Sequence, residues 1–292
     1  MNDSTETIAG KIPTRVLLES MVRGDGTIDA AELYGVGTAL GMSDQQIRLG
    51  IRRAVAEGRI IQHGRGRRAE LLATDTMRQS LALDAGFVQF AYRQDRGLAP
   101  WDGYWHMVAF AIPEAMRRAR DGFRARIVGL GGAALQGGLY VSPNAWEPHV
   151  IDVASGFDVM RHLSMMTTAD LRIGDIDSPV LIARQLWPLD DIARRHQQLL
   201  ATVTRHRDRL LGVPRKLPRI IYLSTALELA AEFTDAMQPD PLLPRELLPG
   251  DWAGAPARAA FAECWSRLRD SADAAVPVLF QGYAEIMDAA AE

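Results

Sequence analysis

Between Ser43 and Arg68 the chain collects side chains suited to gripping a polyanion. Ser43, Gln45, Gln46, Arg48, Arg52 and Arg53 form one run, and Arg65, Arg67 and Arg68 form the next. Residues 43–70 hold seven arginines against three acids, a net charge of +4, in a chain whose total is −3. Arginine pairs bidentately with guanine and glutamine with adenine in the major groove, and arginines on a loop tip reach backbone phosphate. A local basic patch binds a polyanion even on an acidic protein. The other reactive residue types do not assemble. The histidines at 63, 106, 149, 162, 196 and 206 contain no HExxH. His196 and His206 fall about 80° apart around a helix, too far to share a metal. Cys264, the single cysteine, excludes an intramolecular disulfide framework and reads as a packed thiol between Phe261 and Trp265. Asp175 with Asp177, and Asp190 with Asp191, fall where turns or helix starts are expected. The glycines at 129, 131, 132, 137 and 138 follow a helix and precede a strand, the reverse of the strand–loop–helix order a dinucleotide needs. No catalytic residue, metal site or cofactor is expected.

The elements that must position the arginines can be read from periodicity. Pro13 and Thr14 open a short helix carrying Val16, Leu17, Leu18 and Met21, which closes near Gly24. A second helical stretch runs from about Asp29 to Leu40 and ends at Gly41. Ser43 is the expected N-cap of a third helix reaching Glu57, with Ile47, Ile51, Ala54 and Val55 toward a core. Two strands, Arg59–His63 and Arg68–Leu72, are joined through Gly64-Arg65-Gly66 as a hairpin. Three helices and a hairpin describe a winged helix-turn-helix. The third helix would then enter the major groove, with the hairpin tip on phosphate or the minor groove.

Further along, Trp105–Ile112 reads as a buried strand. A helix from Pro113 carries Met116, Ala119, Phe123 and Ile127 on one face and Arg117, Arg118 and Arg124 on the other. Leu139–Ser142, a short helix near Pro148–Phe157 and a strand near His162–Thr168 complete a ferredoxin-like pattern. The expected fold class is α+β and multidomain, with a winged-helix domain over 1–76 and a helical linker over 77–100. A ferredoxin-like middle domain (101–187) and a helical C-terminal domain (188–292) follow. The last part is acidic: residues 222–292 carry twelve acids against four arginines. The uncharged run Ile127–Trp146 holds five glycines and reads as strand and turn rather than membrane span. The segment MNDSTETIAGKIPTR lacks the apolar core of a signal peptide. A cytoplasmic location is expected.

WDGYW (Trp101–Trp105), VAFAIPE (Val108–Glu114), GGLYVSP (Gly137–Pro143) and PDPLLPRELLPGDWAG (Pro239–Gly254) occur in that order. Together they resemble the phenylacetate-degradation repressors, the PaaX-type family. The resemblance implies a DNA-binding head, a ferredoxin-like middle domain, a helical C-terminal domain and dimerisation. It also implies repression relieved by an aromatic acyl-CoA. This chain departs from the family at two points. Ala111 stands where aspartate is common, a position matching the metal-binding aspartate of the ferredoxin-like nucleases of CRISPR adaptation, and alanine cannot ligate a cation. His196 stands where the family has tyrosine, so the effector need not be phenylacetyl-CoA.

The function expected is a repressor of an aromatic-compound catabolic operon, acting as a homodimer on a palindromic double-stranded operator. Its small-molecule effector would be an aryl-CoA thioester, which needs arginines for its phosphates and an aromatic pocket for its acyl group. Arg117, Arg118 and Arg124 with Trp101, Trp105 and Tyr140 are the candidates; the plainer account is a solvated helix face beside core aromatics. The rival readings are a degenerate ferredoxin-like nuclease or hydrolase, and a protein-interaction scaffold with a basic head. Metal-dependent DNA cleavage distinguishes the first, and sequence-selective, salt-dependent DNA binding excludes the second.

Overall fold

A computed structural model describes residues 12–75, 77, 85–211, 217–270, 277, 280 and 282. In the N-terminal part Pro13, with φ −63° and ψ 141°, precedes α1 (Thr14–Ser20), which buries Leu17 and Leu18. A three-residue strand, β1 (Thr27–Asp29), leads into α2 (Ala30–Ala39), whose first turn is capped by the Asp29 side chain accepting from the Glu32 amide at 3.0 Å. Gly41 adopts φ +79°, a left-handed turn that a Cβ would strain, and the chain then enters α3 (Asp44–Ala56). Strands β2 (Ile60–His63) and β3 (Glu70–Ala73) follow, with one turn of 3₁₀ helix at Gly66–Arg68 between them. The expected hairpin is therefore the outer part of an antiparallel sheet in the order β1-β3-β2. Leu17, Leu33, Tyr34, Ile47 and Ile51 are buried beneath it, each such side chain contributing about 1.5–3 kcal/mol. Val55, expected in that core, is 38% exposed: α3 already meets its neighbours through Ile47, Ile51 and Ala54.

Within the expected linker, α4 spans Ala85–Asp95 and takes in Arg93, Gln94 and Asp95 as its last turn; residues 78–84 lie outside the described residues. The middle part runs β4 (Trp105–Phe110), α5 (Arg117–Gly129), β5 (Ala133–Gln136), β6 (Leu139–Ser142), α6 (Glu147–Gly156) and β7 (Leu163–Thr168). The sheet is antiparallel in the order β5-β6-β4-β7, the βαββαβ plan of ferredoxin-like domains. The glycine-rich break thus contains a strand, β5, that sequence did not announce. Alternation divides the sheet into two faces. Val108 and Tyr140, cross-strand partners, point toward Phe123 and Ile127 of α5 and Val150 of α6. Trp105, Met107 and Val141 point the other way, toward Ile182, Trp187, Ile192 and Leu243.

Three longer helices, α8 (Leu189–Leu211), α9 (Arg219–Met237) and α10 (Gly254–Asp270), follow α7 (Pro179–Leu186). The chain forms two compact units, each discontinuous in sequence. One comprises Met1–Gln89, Gln198–Thr234 and Pro256–Glu292; the other comprises Phe90–Gln197 and Asp235–Ala255. Residues 188–292 are thus divided between the two. In the first unit Phe233 stacks on Phe261 at 4.2 Å and Phe261 on Trp265 at 5.4 Å. In the same unit Glu32 of α2 accepts from Arg219 of α9 and, at 2.8 Å, from Arg23. Among the described residues no helix is long and apolar enough to cross a membrane.

Candidate nucleic-acid interface

The start of α3 is fixed by a reciprocal cap. Ser43 Oγ accepts from the Gln46 amide at 3.2 Å, and Gln46 Oε1 accepts from the Ser43 amide at 2.8 Å, which satisfies two otherwise orphaned donors. With Ile47, Ile51 and Ala54 inward, the 100° step of an α-helix centres the outward face on Gln45, Leu49 and Arg52. Arg48 and Arg52 flank a groove of about 580 Å³ that Gln62 and Arg65 of the hairpin close from the other side, with Tyr34 in the wall. Gln46, Leu49 and Arg53 border a second groove, about 430 Å³, against Pro13, Arg15 and Met77.

The charges in this region fall into two groups. Arg67 donates to Asp44 at 3.2 Å, with its guanidinium 5.1 Å above the Tyr34 ring. Arg59, buried beside β2, is paired with Glu19, which also takes Arg15. By contrast Arg48, Arg52, Arg53, Arg65 and Arg68 are exposed and make no ion pair among the described residues. Five uncompensated guanidiniums on α3 and the adjoining turn make a positive surface for an external anion. The expected DNA contacts are thereby brought to one region, except that Ser43 and Gln46 serve the cap and Arg67 is tied to Asp44.

The expected effector residues are not gathered into one pocket. Trp105 is 1% exposed, 6.4 Å from the Trp187 ring and edge-on to Trp101 at 5.6 Å. Tyr140 is 3% exposed and stacks on Phe110 at 5.5 Å. These two aromatics belong to opposite faces of the sheet, and α5 covers only the face of Tyr140. Arg117 is held in solvent by Glu114 at 3.9 Å and Asp121 at 3.7 Å, while Arg118 and Arg124 are exposed. The correction follows from strand alternation: Trp105 and Tyr140 are core residues, and the arginines line the outer side of α5.

Sequence reasoning missed the carboxylate partners of three histidines. His106 lies between Glu147 at 2.7 Å and Asp102 at 3.0 Å. His206 meets Glu228 at 2.9 Å. Burial alone would raise the Glu228 carboxyl, but His206, Arg205 and Arg209 outweigh it and hold it below the usual carboxylate range. Fully buried His196 directs Nε2 to Asp240 at 2.7 Å, whereas its Nδ1 has no hydrogen-bond partner among the described residues. Asp240 also accepts from the Leu242 amide at 2.9 Å, and the Leu242 carbonyl accepts from Gln94 at 2.8 Å and Asn144 at 2.9 Å. Apart from His106 with Asp102, four positions away, each pair joins residues 22 to 44 positions apart, a separation that carries no local signal. Among the described residues no group of three or more histidine, cysteine or carboxylate side chains could hold a metal. Ala111 is exposed beyond β4.

Residues 98–179 match the PaaX protein central Cas2-like domain, and residues 187–277 match the PaaX-like protein C-terminal domain. No match is found among curated proteins. A solved structure, the uncharacterized protein Rv0674 from Mycobacterium tuberculosis, is similar with a TM-score of 0.51 and 20% identity, over 97% of this chain and 100% of that one; the likeness is one of fold. The two family matches are consecutive and cover most of the chain, including its mixed α+β middle and its helical C-terminal part. The chain belongs to the PaaX-type family of regulators.

Proposed function

We propose that the chain is a ligand-responsive transcriptional regulator whose N-terminal part is a winged helix-turn-helix for double-stranded DNA. The observation that carries this reading is the groove shared by Arg48 and Arg52 of α3 with Arg65 of the β2–β3 turn. A recognition helix and a wing must present such charges side by side if one is to read bases while the other grips phosphate. Family membership supports the regulatory role. The regulator would act as a homodimer on a palindromic operator, repressing transcription until an effector shifts it to a conformer whose two heads no longer match the half-sites.

The effector proposed is an aryl-CoA-type thioester of an aromatic catabolic pathway. Its phosphates would find Arg117, Arg118 and Arg124 on the exposed side of α5, and its acyl group would need a site other than the buried Trp105 and Tyr140. Selection of bound sequences from a random double-stranded library by the full chain, across a salt series, tests the DNA reading. A common sequence that binds in a salt-dependent way is expected; binding without sequence preference, or metal-dependent cleavage of the DNA, overturns it. Calorimetric titration with aryl-CoA thioesters and the matching free acids tests the effector, and equal binding of the free acids sinks the phosphate contribution.

A further inference from the structure

We propose that Leu49 is a specificity residue that packs on the 5-methyl group of a thymine in the major groove. The inference rests on α3 being the helix that enters the groove and names what its centre would recognise. Leu49 is 49% exposed, although Ile47, Ile51 and Ala54 already supply the inward side of the same helix. Its neighbours one turn away are Gln45, Gln46, Arg52 and Arg53, so a branched apolar group stands in the middle of a polar, cationic face. A leucine has nothing to offer phosphate or a base-edge donor or acceptor. The apolar feature on the floor of the major groove is the thymine methyl. The cap sharpens this assignment: Gln46 Oε1 is engaged with the Ser43 amide, so Gln46 is not free to clasp adenine with both ends of its amide. Recognition of A·T pairs by the centre of α3 then falls to Gln45 and Leu49.

The test uses the full chain and the best-bound DNA selected from a random double-stranded library. That DNA is remade with deoxyuridine in place of thymidine one position at a time, a change that deletes only the methyl. At one thymine per half-site the unaltered protein should lose about fourfold in affinity, the scale of burying one methyl-sized group. Leu49→Ala should bind the thymine DNA about as weakly as the unaltered protein binds DNA carrying uracil at that position in both half-sites, and should no longer distinguish thymine from uracil there. Arg48→Ala should still distinguish them. The exposure of Leu49 keeps both variants foldable, which circular dichroism checks. Indifference of the unaltered protein to uracil everywhere, or methyl sensitivity that persists in Leu49→Ala, overturns the assignment while leaving DNA binding intact. If no sequence is enriched, the DNA-binding reading itself fails and the role of Leu49 falls with it.

Discussion

Arg67, in the turn between β2 and β3, donates to Asp44 in the first turn of α3 at 3.2 Å, so that turn is tied to the helix beside it. Arg65 and Arg68 have no such tie among the described residues. The three arginines should therefore differ in solution. Arg65→Ala and Arg68→Ala should each flatten the slope of log K against log salt by about one, as expected when one phosphate is no longer neutralised. Arg67→Ala should change it by clearly less, because its charge is already partnered. A slope change for Arg67→Ala equal to that for Arg65→Ala would contradict this division.

The base-reading arginines should be found among Arg48, Arg52 and Arg53. Replacing a reader by alanine should cost about 1–3 kcal/mol on the selected DNA and much less on a scrambled sequence. Arg48 and Arg52, which face the β2–β3 turn across the same groove, should show the larger discrimination. Equal reductions on both DNAs for all three variants would demote them to phosphate-binding residues.

Ser43→Ala removes the acceptor for the Gln46 amide and should destabilise the start of α3 by about 1 kcal/mol. Hydrogen exchange of the first-turn amides reads this directly, and Ser43→Thr should restore most of the protection.

Acid should loosen the contact between α2 and α9. Burial favours the neutral form of Glu32, but Arg219 and Arg23 outweigh it and hold the carboxyl below its ordinary value of 4.5. A lowered carboxyl contributes stability that is present above the unfolded value and is lost as the pH falls through the folded one. Glu32→Gln should therefore lose stability relative to the unaltered chain at neutral pH, with the gap closing below 4.5. A gap that stayed constant down to the acid limit would show that the charge of Glu32 is not what matters.

The single cysteine should be inert in the folded chain. Burial pushes the Cys264 thiol up to about 11, leaving almost no thiolate near neutrality. Labelling with a thiol reagent at pH 7 should wait for unfolding and track it; rapid reaction under native conditions would refute the burial of α10 against its neighbours.

What sequence made legible was local. Ser43 as N-cap, and the stripe of Ile47, Ile51 and Ala54, marked α3 and its outward arginines because capping and helical periodicity act within one turn. Strand β1, only Thr27–Asp29, was too short to show alternation, and it exists through pairing with residues 70–72. Strand β5 begins Ala133-Ala134, residues of weak strand preference, and is held by Val141 and Tyr140 across the sheet. Trp105 and Tyr140 looked like partners in a pocket because both are aromatic and lie near the same helix in sequence. Their opposite faces depend on which residue of β6 sits opposite Val108, a register set by long-range pairing. The partition of residues 188–292 between two compact units is likewise a matter of distant packing.

The Leu242 carbonyl, held by Gln94 and Asn144 while its own amide is held by Asp240, makes the proline-rich segment a fitted part of the scaffold. Its neighbour Pro241 presses on Gly131, where a Cβ would come within 2.6 Å of the proline carbonyl and φ is +88°. The same holds for WDGYW, whose Trp105 is interior and whose Asp102 accepts from the Tyr104 amide at 2.8 Å. The letters that carry the family resemblance are thus architectural in this chain, fixing backbone and core within one compact unit. On the proposed reading, exchanges at Gln45, Arg48, Leu49, Arg52 and Arg53 should retarget the chain while leaving that frame undisturbed.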